Sequence, residues 1–404
     1  MKIVAIAFRY LWSRPLAATL NLLLLTLGLA SISFVLLASE QIDRAFERDL
    51  AGIDLVVGAK GSPMQLILAG VFHIDVPPGN IALADVQELQ QNPQVAKLIP
   101  LSLGDSYRGF RIVGTTADYL SHYQAQLAQG RLWTDPMQVV LGSQVAQGDG
   151  ASRAMRPGDR FMGSHGLGVG GHAHGEHPYT VTGVLQACGC VLDRLILTAT
   201  ESVWQVHEKA TALDDDDRQA LEAEREITLA LITYKSPLAA VTFPRFVNSS
   251  TSMQAAAPAV EVTRLLRMVG VGTEVLRGLG AVLLLTAALS VFIALWNAVH
   301  ERRADLALLR MLGAPPAKVA GLVLCEALWL AILASALGLL GGHLLTALVG
   351  YALQAEKSLP VTGWLWLAAE GWIPAAAVGV AGLAAALPAF SAYRVDVAPL
   401  LSSR

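Results

Sequence analysis

Apolar residues gather in four long blocks: Leu16–Ala38, about Thr273–Val299, Val319–Val349 and about Trp364–Phe390. Each is long enough to cross the ~30 Å hydrocarbon core of a bilayer, which takes about 20 helical residues. In the first block ten leucines, each favouring insertion by roughly 0.5 kcal/mol, outweigh Asn21 and the threonines. The block also exceeds the ~15-residue core of a cleaved signal peptide, so a retained anchor is expected.

Between the first two blocks, residues 39–257 have ordinary soluble composition, enough for one or two globular domains. Helical material is expected over Gln41–Leu50. A strand from Ile53 closes at Gly61-Ser62-Pro63, and Asp85–Gln91 reads as a short helix. Strands follow at Gly109–Gly114, Gln138–Leu141, Tyr179–Leu185 and Leu195–Thr198. A charged helix then covers about Leu213–Glu226, before a strand over Ile227–Tyr234. From Pro258 a helical rhythm of Val262, Leu265, Leu266 and Val269 runs into the second block. A single helix over 258–299, a stalk continuous with a span, would be about 60 Å long. Gly270, Gly272, Gly278 and Gly280 offer it places to bend. The expected fold is therefore a membrane protein: four transmembrane α-helices, with a large α+β extracytoplasmic domain between the first and second.

Two polar pieces flank the blocks. Residues 1–15 mix apolar and basic side chains, with Tyr10 and Trp12 suited to headgroup level, and predict an interfacial helix. Residues 300–317 form a charged loop whose pattern is helical. Leu306, Leu309 and Leu312 share one side, and Glu301, Arg303, Asp305 and Arg310 occupy others; Gly313 and Pro315-Pro316 supply the stop. Lys2, Arg9 and Arg14 precede the first span, and Arg302, Arg303, Arg310 and Lys318 lie at the charged loop. Arg394 and Arg404 follow the last span, whereas the loop 351–363 carries only Lys357 beside Glu356. The positive-inside rule then places both termini, the loop 300–317 and the tail 391–404 in the cytoplasm. It places 39–257 and 351–363 outside, with spans at 16–38, within 258–299, and at 318–350 and 364–390.

Composition agrees. Of 404 residues 54% are hydrophobic and 15% charged, against about 25% charged in soluble domains. A net charge of -3 without a basic stripe argues against nucleic acid as a partner and leaves membrane lipids as the surroundings. Three cysteines are too few for a disulfide framework.

Candidate chemistry is sparse. No phosphate-binding P-loop appears; Gly58-Ala59-Lys60-Gly61-Ser62 has the wrong spacing. Neither a zinc-protease nor a nucleophile-elbow motif is present, so no catalytic residue is assigned and the chain is not expected to be an enzyme. The glycine-rich stretch from Ser164 holds His165, His172, His174, Glu176 and His177, which suit Zn²⁺ or Cu²⁺, or else form a solvated loop. Cys188 and Cys190 have three readings: oxidation, a metal site shared with those histidines, or plain thiols. Asp214–Asp217 fits the acidic start of a helix better than a calcium loop. Within the third span Glu326 is a costly carboxylate, either linked to Arg303 or Arg310 or reaching the headgroups. Ala334, Gly338, Gly341 and Gly342 make a small-residue packing face; the fourth span has Trp364, Trp366 and Trp372 as an aromatic belt at its outer end, with Gly379 and Gly382 within.

The run Glu301-Arg302-Arg303-Ala304-Asp305-Leu306-Ala307-Leu308-Leu309-Arg310-Met311-Leu312-Gly313-Ala314 resembles the coupling segment of the MacB/FtsX-type permeases of ABC transporters. Glu326-Ala327 and the closing Leu387–Asp396 resemble that family's third span and C-terminal end. Val113–Leu120 and Val140–Gly142 resemble pieces of its periplasmic core domain. Gly189–Arg194 sits where many relatives have a Gly-Thr-Pro-x-Asp-Arg-like turn, so the cysteines are a departure.

The resemblance implies a bacterial inner-membrane permease that pairs with a second copy and binds two copies of a cytoplasmic ATPase. ATP and Mg²⁺ would sit on that ATPase, with no cofactor on this chain unless the histidines take Zn²⁺. It implies mechanotransmission, with export or extraction of a lipoprotein, peptide or hydrophobic small molecule, and a periplasmic binding protein or lipoprotein as a further partner. Two alternatives keep the architecture: a metal-homeostasis permease, or a non-transporting regulator of a cell-envelope partner. The coupling segment would comprise Glu301, Arg302, Arg303, Asp305, Leu306, Leu309, Arg310, Leu312 and Gly313. Glu301, Arg302 and Arg310 would make polar contacts with the ATPase, and Leu306 and Leu309 would seat against it.

Overall fold

A computed structural model describes residues 3–148, 153–165, 178–207, 222, 224–355 and 361–395. They fall into two compact units. One is built from the chain up to Ile42, from Val269 to Leu353 and from Val361 onward; the other runs from Asp43 to Met268.

The first unit is helical. Among the described residues four helices are long and apolar enough to cross a membrane: Pro15–Leu50, Pro258–Glu301, Pro316–Leu353 and Ala368–Tyr393. The helical material expected at Gln41–Leu50 is the uninterrupted end of the first of these. A short helix, Ile3–Leu11, precedes them, as the pattern predicted. Their shared core is built largely from small residues. Ala287, Ala331, Ala334, Ala377 and Ala385 are wholly buried with Leu25 and Leu29, while Leu16, Leu285, Leu340 and Leu383 point outward. Large apolar groups on the outside and small ones within suit helices whose solvent is lipid. The expected small-residue face is real. A Cβ on Gly338 would lie 2.6 Å from the Leu29 Cβ, and one on Gly342 would lie 2.5 Å from the Ser33 Cβ.

Several polar groups buried in this unit satisfy one another. Glu370, 3% exposed, accepts from Ser33 Oγ (2.9 Å) and from the Leu367 amide (3.1 Å). His343 Nε2 lies 3.1 Å from Glu370 Oε1, an ion-pair distance outside hydrogen-bond alignment, and its Nδ1 is 2.6 Å from the Gly363 carbonyl. Gln41 donates to the Thr362 carbonyl (2.9 Å) and accepts from its amide (2.8 Å). Such pairing is what apolar surroundings demand of polar side chains.

The second unit is a mixed sheet with helices. Its main path runs Met253–Ala256, Leu55–Ala59, Leu229–Tyr234, Val95–Tyr107, Phe110–Thr115, Leu195–Ala199, Gln138–Leu141, Tyr179–Leu185, Leu127–Gly130. Most pairs are antiparallel; Leu195–Ala199 lies parallel to Phe110–Thr115, and Gln138–Leu141 parallel to Tyr179–Leu185. Core residues from strands and helices form two clusters, one around Leu55, Ile232 and Phe243, the other around Ile112, Leu141 and Tyr179. The expected strands appear within a residue or two of their predicted bounds. The longest strand, Val95–Tyr107, has no sequence signal of its own, because Pro100 and Gly104 interrupt its pattern; its pairing slips between Leu103 and Ser106. Most of the charged helix expected near Leu213–Glu226, with Asp214–Asp217, lies outside the described residues.

Within this unit His73 is buried, its Nε2 3.0 Å from the Tyr119 hydroxyl and its Nδ1 without a partner. Burial, reinforced by the Arg111 and Arg194 charges, holds its pKa well below the usual 6.5. The folded unit therefore resists a proton that the unfolded chain takes up below pH 6.5, and this contribution to stability is lost as pH falls. Between pH 6.5 and the folded-state pKa, His73 should cost about 1.4 kcal/mol of stability per pH unit. Hydrogen exchange of core amides such as Leu101, followed from pH 7 to 5, measures it. His73→Asn should flatten the slope by that amount, even though its absolute stability is lower.

Candidate functional site

The charged loop folds as expected into a helix, Arg303–Met311, capped by Leu312 and by Gly313 at φ 92°, a conformation suited to glycine. Only Arg302 separates it from the long helix ending at Glu301. Its inner face is Leu306 and Ala307, both buried in the helical core with Leu309 packed against them. Leu308, Met311 and Leu312 are exposed instead, Leu312 at 83% against 3% for Leu306. This corrects the expected seating. Leu306 and Leu309 hold the helix to its own protein, and Leu312 leaves their side because the helix ends before it.

Arg302 is an internal clasp. It donates to Glu326 Oε1 (3.3 Å), to the Tyr10 carbonyl (3.1 Å) and to Ser13 Oγ, and its guanidinium lies 4.5 Å over the Tyr10 ring. Glu326 is 6% exposed. The partner of this intramembrane carboxylate is thus Arg302, where Arg303 or Arg310 was expected. Arg302, as the joint residue, is directed back at the helices, whereas Arg303 is exposed beside His300 (3.1 Å). Arg310 donates to the Val395 carbonyl, and Glu301 pairs with Arg14. Asp305 is exposed on the outer face.

Side-chain pattern does not mark the N-terminal half of this site. Trp329 donates to the Val4 carbonyl (3.1 Å) and meets Phe8 edge-on at 5.1 Å between centroids. With Tyr10, Ser13 and Arg14, these contacts strap the first helix to the loop. In sequence Arg14 is only a topological charge, and backbone carbonyls as acceptors leave no trace in side-chain pattern. A cavity of about 270 Å³ opens beside the clasp, between Tyr10, Arg14, Asn21, Asn297 and Glu326.

The other sequence candidates fall elsewhere. His165 lies in a two-residue strand paired with Ser106 and Asp105; His172, His174 and His177 are outside the described residues. Cys188 and Cys190 are joined to each other. In that state neither offers a thiolate to a metal, which corrects their placement with the histidines. Among the described residues no group of three or more His, Cys, Asp or Glu is arranged to hold a metal ion.

Comparison with known proteins bears on both units. The MacB-like periplasmic core domain matches residues 18–224, more than half of the chain, and the FtsX-like permease C-terminal domain matches residues 277–397. The chain belongs to the MacB/FtsX-type permeases of ABC transporters. Of solved structures, the periplasmic region of MacB from Actinobacillus actinomycetemcomitans is similar at 14% identity and a TM-score of 0.35, over 54% of this chain and 95% of that one. The extracellular domain of the noncanonic ABC-type transporter YknZ from Gram-positive bacteria is similar at 13% identity and a TM-score of 0.31, over 50% and 98%. No curated protein matches. As a component of an ABC transporter in the bacterial inner membrane, this permease has an ABC ATPase as partner and belongs to a family whose members generally dimerise.

The clasp makes a direct prediction. Removing one member of a buried ion pair leaves the other charge uncompensated, at a cost of about 3–5 kcal/mol, whereas replacing both with apolar groups is often neutral. Arg302→Met should therefore lower the thermal midpoint of the purified permease, and Arg302→Met with Glu326→Leu should recover most of the loss.

Proposed function

We propose that this permease works by mechanotransmission, with both termini and the helix Arg303–Met311 in the cytoplasm and the mixed unit outside. The carrying observation is continuity. Pro258–Glu301 is one helix that contains a candidate span, extends into the residues of the mixed unit, and meets the loop helix at a single joint residue. At 1.5 Å per residue it is about twice as long as the bilayer core is thick. Force on the loop helix is delivered straight to its end. Pro15–Leu50 is continuous in the same way.

ATP hydrolysis by two partner ATPases, with Mg²⁺ on those subunits, pushes the loop helix and moves the outer units of a permease dimer. That motion exports or extracts a lipoprotein, a peptide or a hydrophobic small molecule. The chain itself hydrolyses nothing and supplies the surface that is pushed. On that surface Leu308, Met311 and Leu312 supply apolar contact, and Arg303 and Asp305 supply the polar rim. Arg302, Leu306, Leu309 and Arg310 keep the helix in place so that the push is not lost in local rearrangement.

Leu308→Glu and Leu312→Glu should each lower permease-stimulated ATPase activity at least tenfold while leaving the purified permease folded. Leu306→Ala should act chiefly by lowering stability. Unchanged stimulation in both glutamate variants would remove the assignment. Orientation is read separately with single cysteines: at exposed Gln87 an impermeant maleimide should label intact cells, and at Met311 only permeabilised ones.

A further inference from the structure

The bond between Cys188 and Cys190 has no part in the coupling reading. It closes a turn between the strand Tyr179–Leu185 and the one-turn helix Val191–Arg194. We propose that this pair is a thiol–disulfide exchange site, reduced by an extracytoplasmic dithiol and reoxidised by a disulfide of the same class.

Three observations carry it. First, a single residue, Gly189, separates the cysteines. Loop-closure stabilisation grows with the logarithm of loop length, so a ring this small constrains the unfolded chain least. Second, the turn has anchors besides the bond, so that opening it loosens the turn without unfolding it. The Asp193 carboxylate accepts from the amides of Cys188 (3.1 Å) and Gly189 (2.7 Å) and from Ser143 Oγ (2.9 Å). Third, access is asymmetric. Gly189 is exposed and Cys188 half-buried, whereas Cys190 is 7% exposed. A soluble thiolate therefore reaches Cys188 before Cys190, and exchange depends on that access. The Cys190 amide already points at the Cys188 sulfur (3.1 Å), and a Cβ at Gly189 would lie 2.7 Å from the Arg48 guanidinium. The amide is a donor that favours a thiolate on Cys188.

The exchange balances simply. One thiolate of the dithiol attacks Cys188 Sγ; the bond to Cys190 breaks, and Cys190 leaves with the electron pair and takes a proton. The second thiolate then attacks its partner sulfur in the mixed disulfide, and Cys188 leaves and is protonated. Two electrons and two protons reach the pair, and the dithiol becomes a disulfide.

What opening would loosen is also visible. Val191, next to Cys190, donates its amide to Asp49 Oδ1 (2.9 Å), whose other oxygen is 3.9 Å from Arg194. The Tyr123 hydroxyl donates to the Asp49 carbonyl (2.7 Å). Reduction therefore slackens an anchor on the last turn of the helix Pro15–Leu50.

The proposal rests on the outside placement of this unit, where disulfides persist. Its test uses the full chain, purified oxidised and equilibrated with mixtures of reduced and oxidised dithiothreitol or a thioredoxin-type protein. Thiols are trapped by alkylation and mapped by mass, with the free Cys325 as internal control. Two thiols should appear at 188 and 190 while the chain stays folded. Amide exchange at Asp49 and Val191 should rise at least tenfold. Cys188→Ser with Cys190→Ser should reproduce that rise without reductant, and Cys188→Ala serves if the double variant misfolds. A bond that opens only in denaturant, or that opens with exchange at Asp49 and Val191 unchanged, overturns the proposal. Trapping in cells with permeant and impermeant reagents keeps the two ideas apart. Thiols at 188 and 190 reached only by the permeant reagent would defeat the outside placement, while the purified chain still judges the exchange.

Discussion

A carboxylate inside an apolar helix bundle constrains everything near it. Glu326 cannot stay charged among Leu322, Leu330 and Ala327 without a cation, and the chain supplies one from the residue that joins two helices. Because Arg302 is that joint, satisfying Glu326 also fixes where the loop helix begins. Because Arg302 has donors to spare, it holds the N-terminal helix through Tyr10 and Ser13 as well. Three segments distant in sequence are thereby tied at one guanidinium. Arg suits that work better than Lys, since its planar fork can satisfy several acceptors and stack on a ring together.

The same logic, with different partners, governs the cluster of Ser33, His343 and Glu370. Here small residues make the polar contacts possible: Gly342 lets the Ser33 helix approach, and a Cβ on Gly363 would lie 2.2 Å from the His343 carbonyl. Polar pairing and close backbone packing are therefore one feature of the bundle. Its outward leucines need nothing from the protein because lipid accepts them.

In the mixed unit three buried charges serve the turn that follows Tyr179–Leu185. Asp49, Asp193 and Arg194 are all nearly inaccessible and bound to one another or to backbone amides. The end of one helix, a disulfide-closed turn and a one-turn helix meet there in a compact junction.

Four spans, a mixed domain between the first two, and a helix in the charged loop were legible in the chain, because hydropathy and periodicity are local and each block repeats its signal many times. The family was legible too, because Glu301–Ala314 carries its motif within one short segment. Tertiary structure decided the partners. Whether Glu326 meets Arg302, Arg303 or Arg310 turns on a few ångströms of helix rotation. Leu306, Leu308 and Leu309 differ in burial only because the helix lies on one particular face. Backbone acceptors such as the carbonyls of Val4, Tyr10 and Val395 are identical at every residue, so no sequence marks them in advance. Local pattern names the elements; only their packing says which side chain each one spends on holding itself and which it leaves free for a partner.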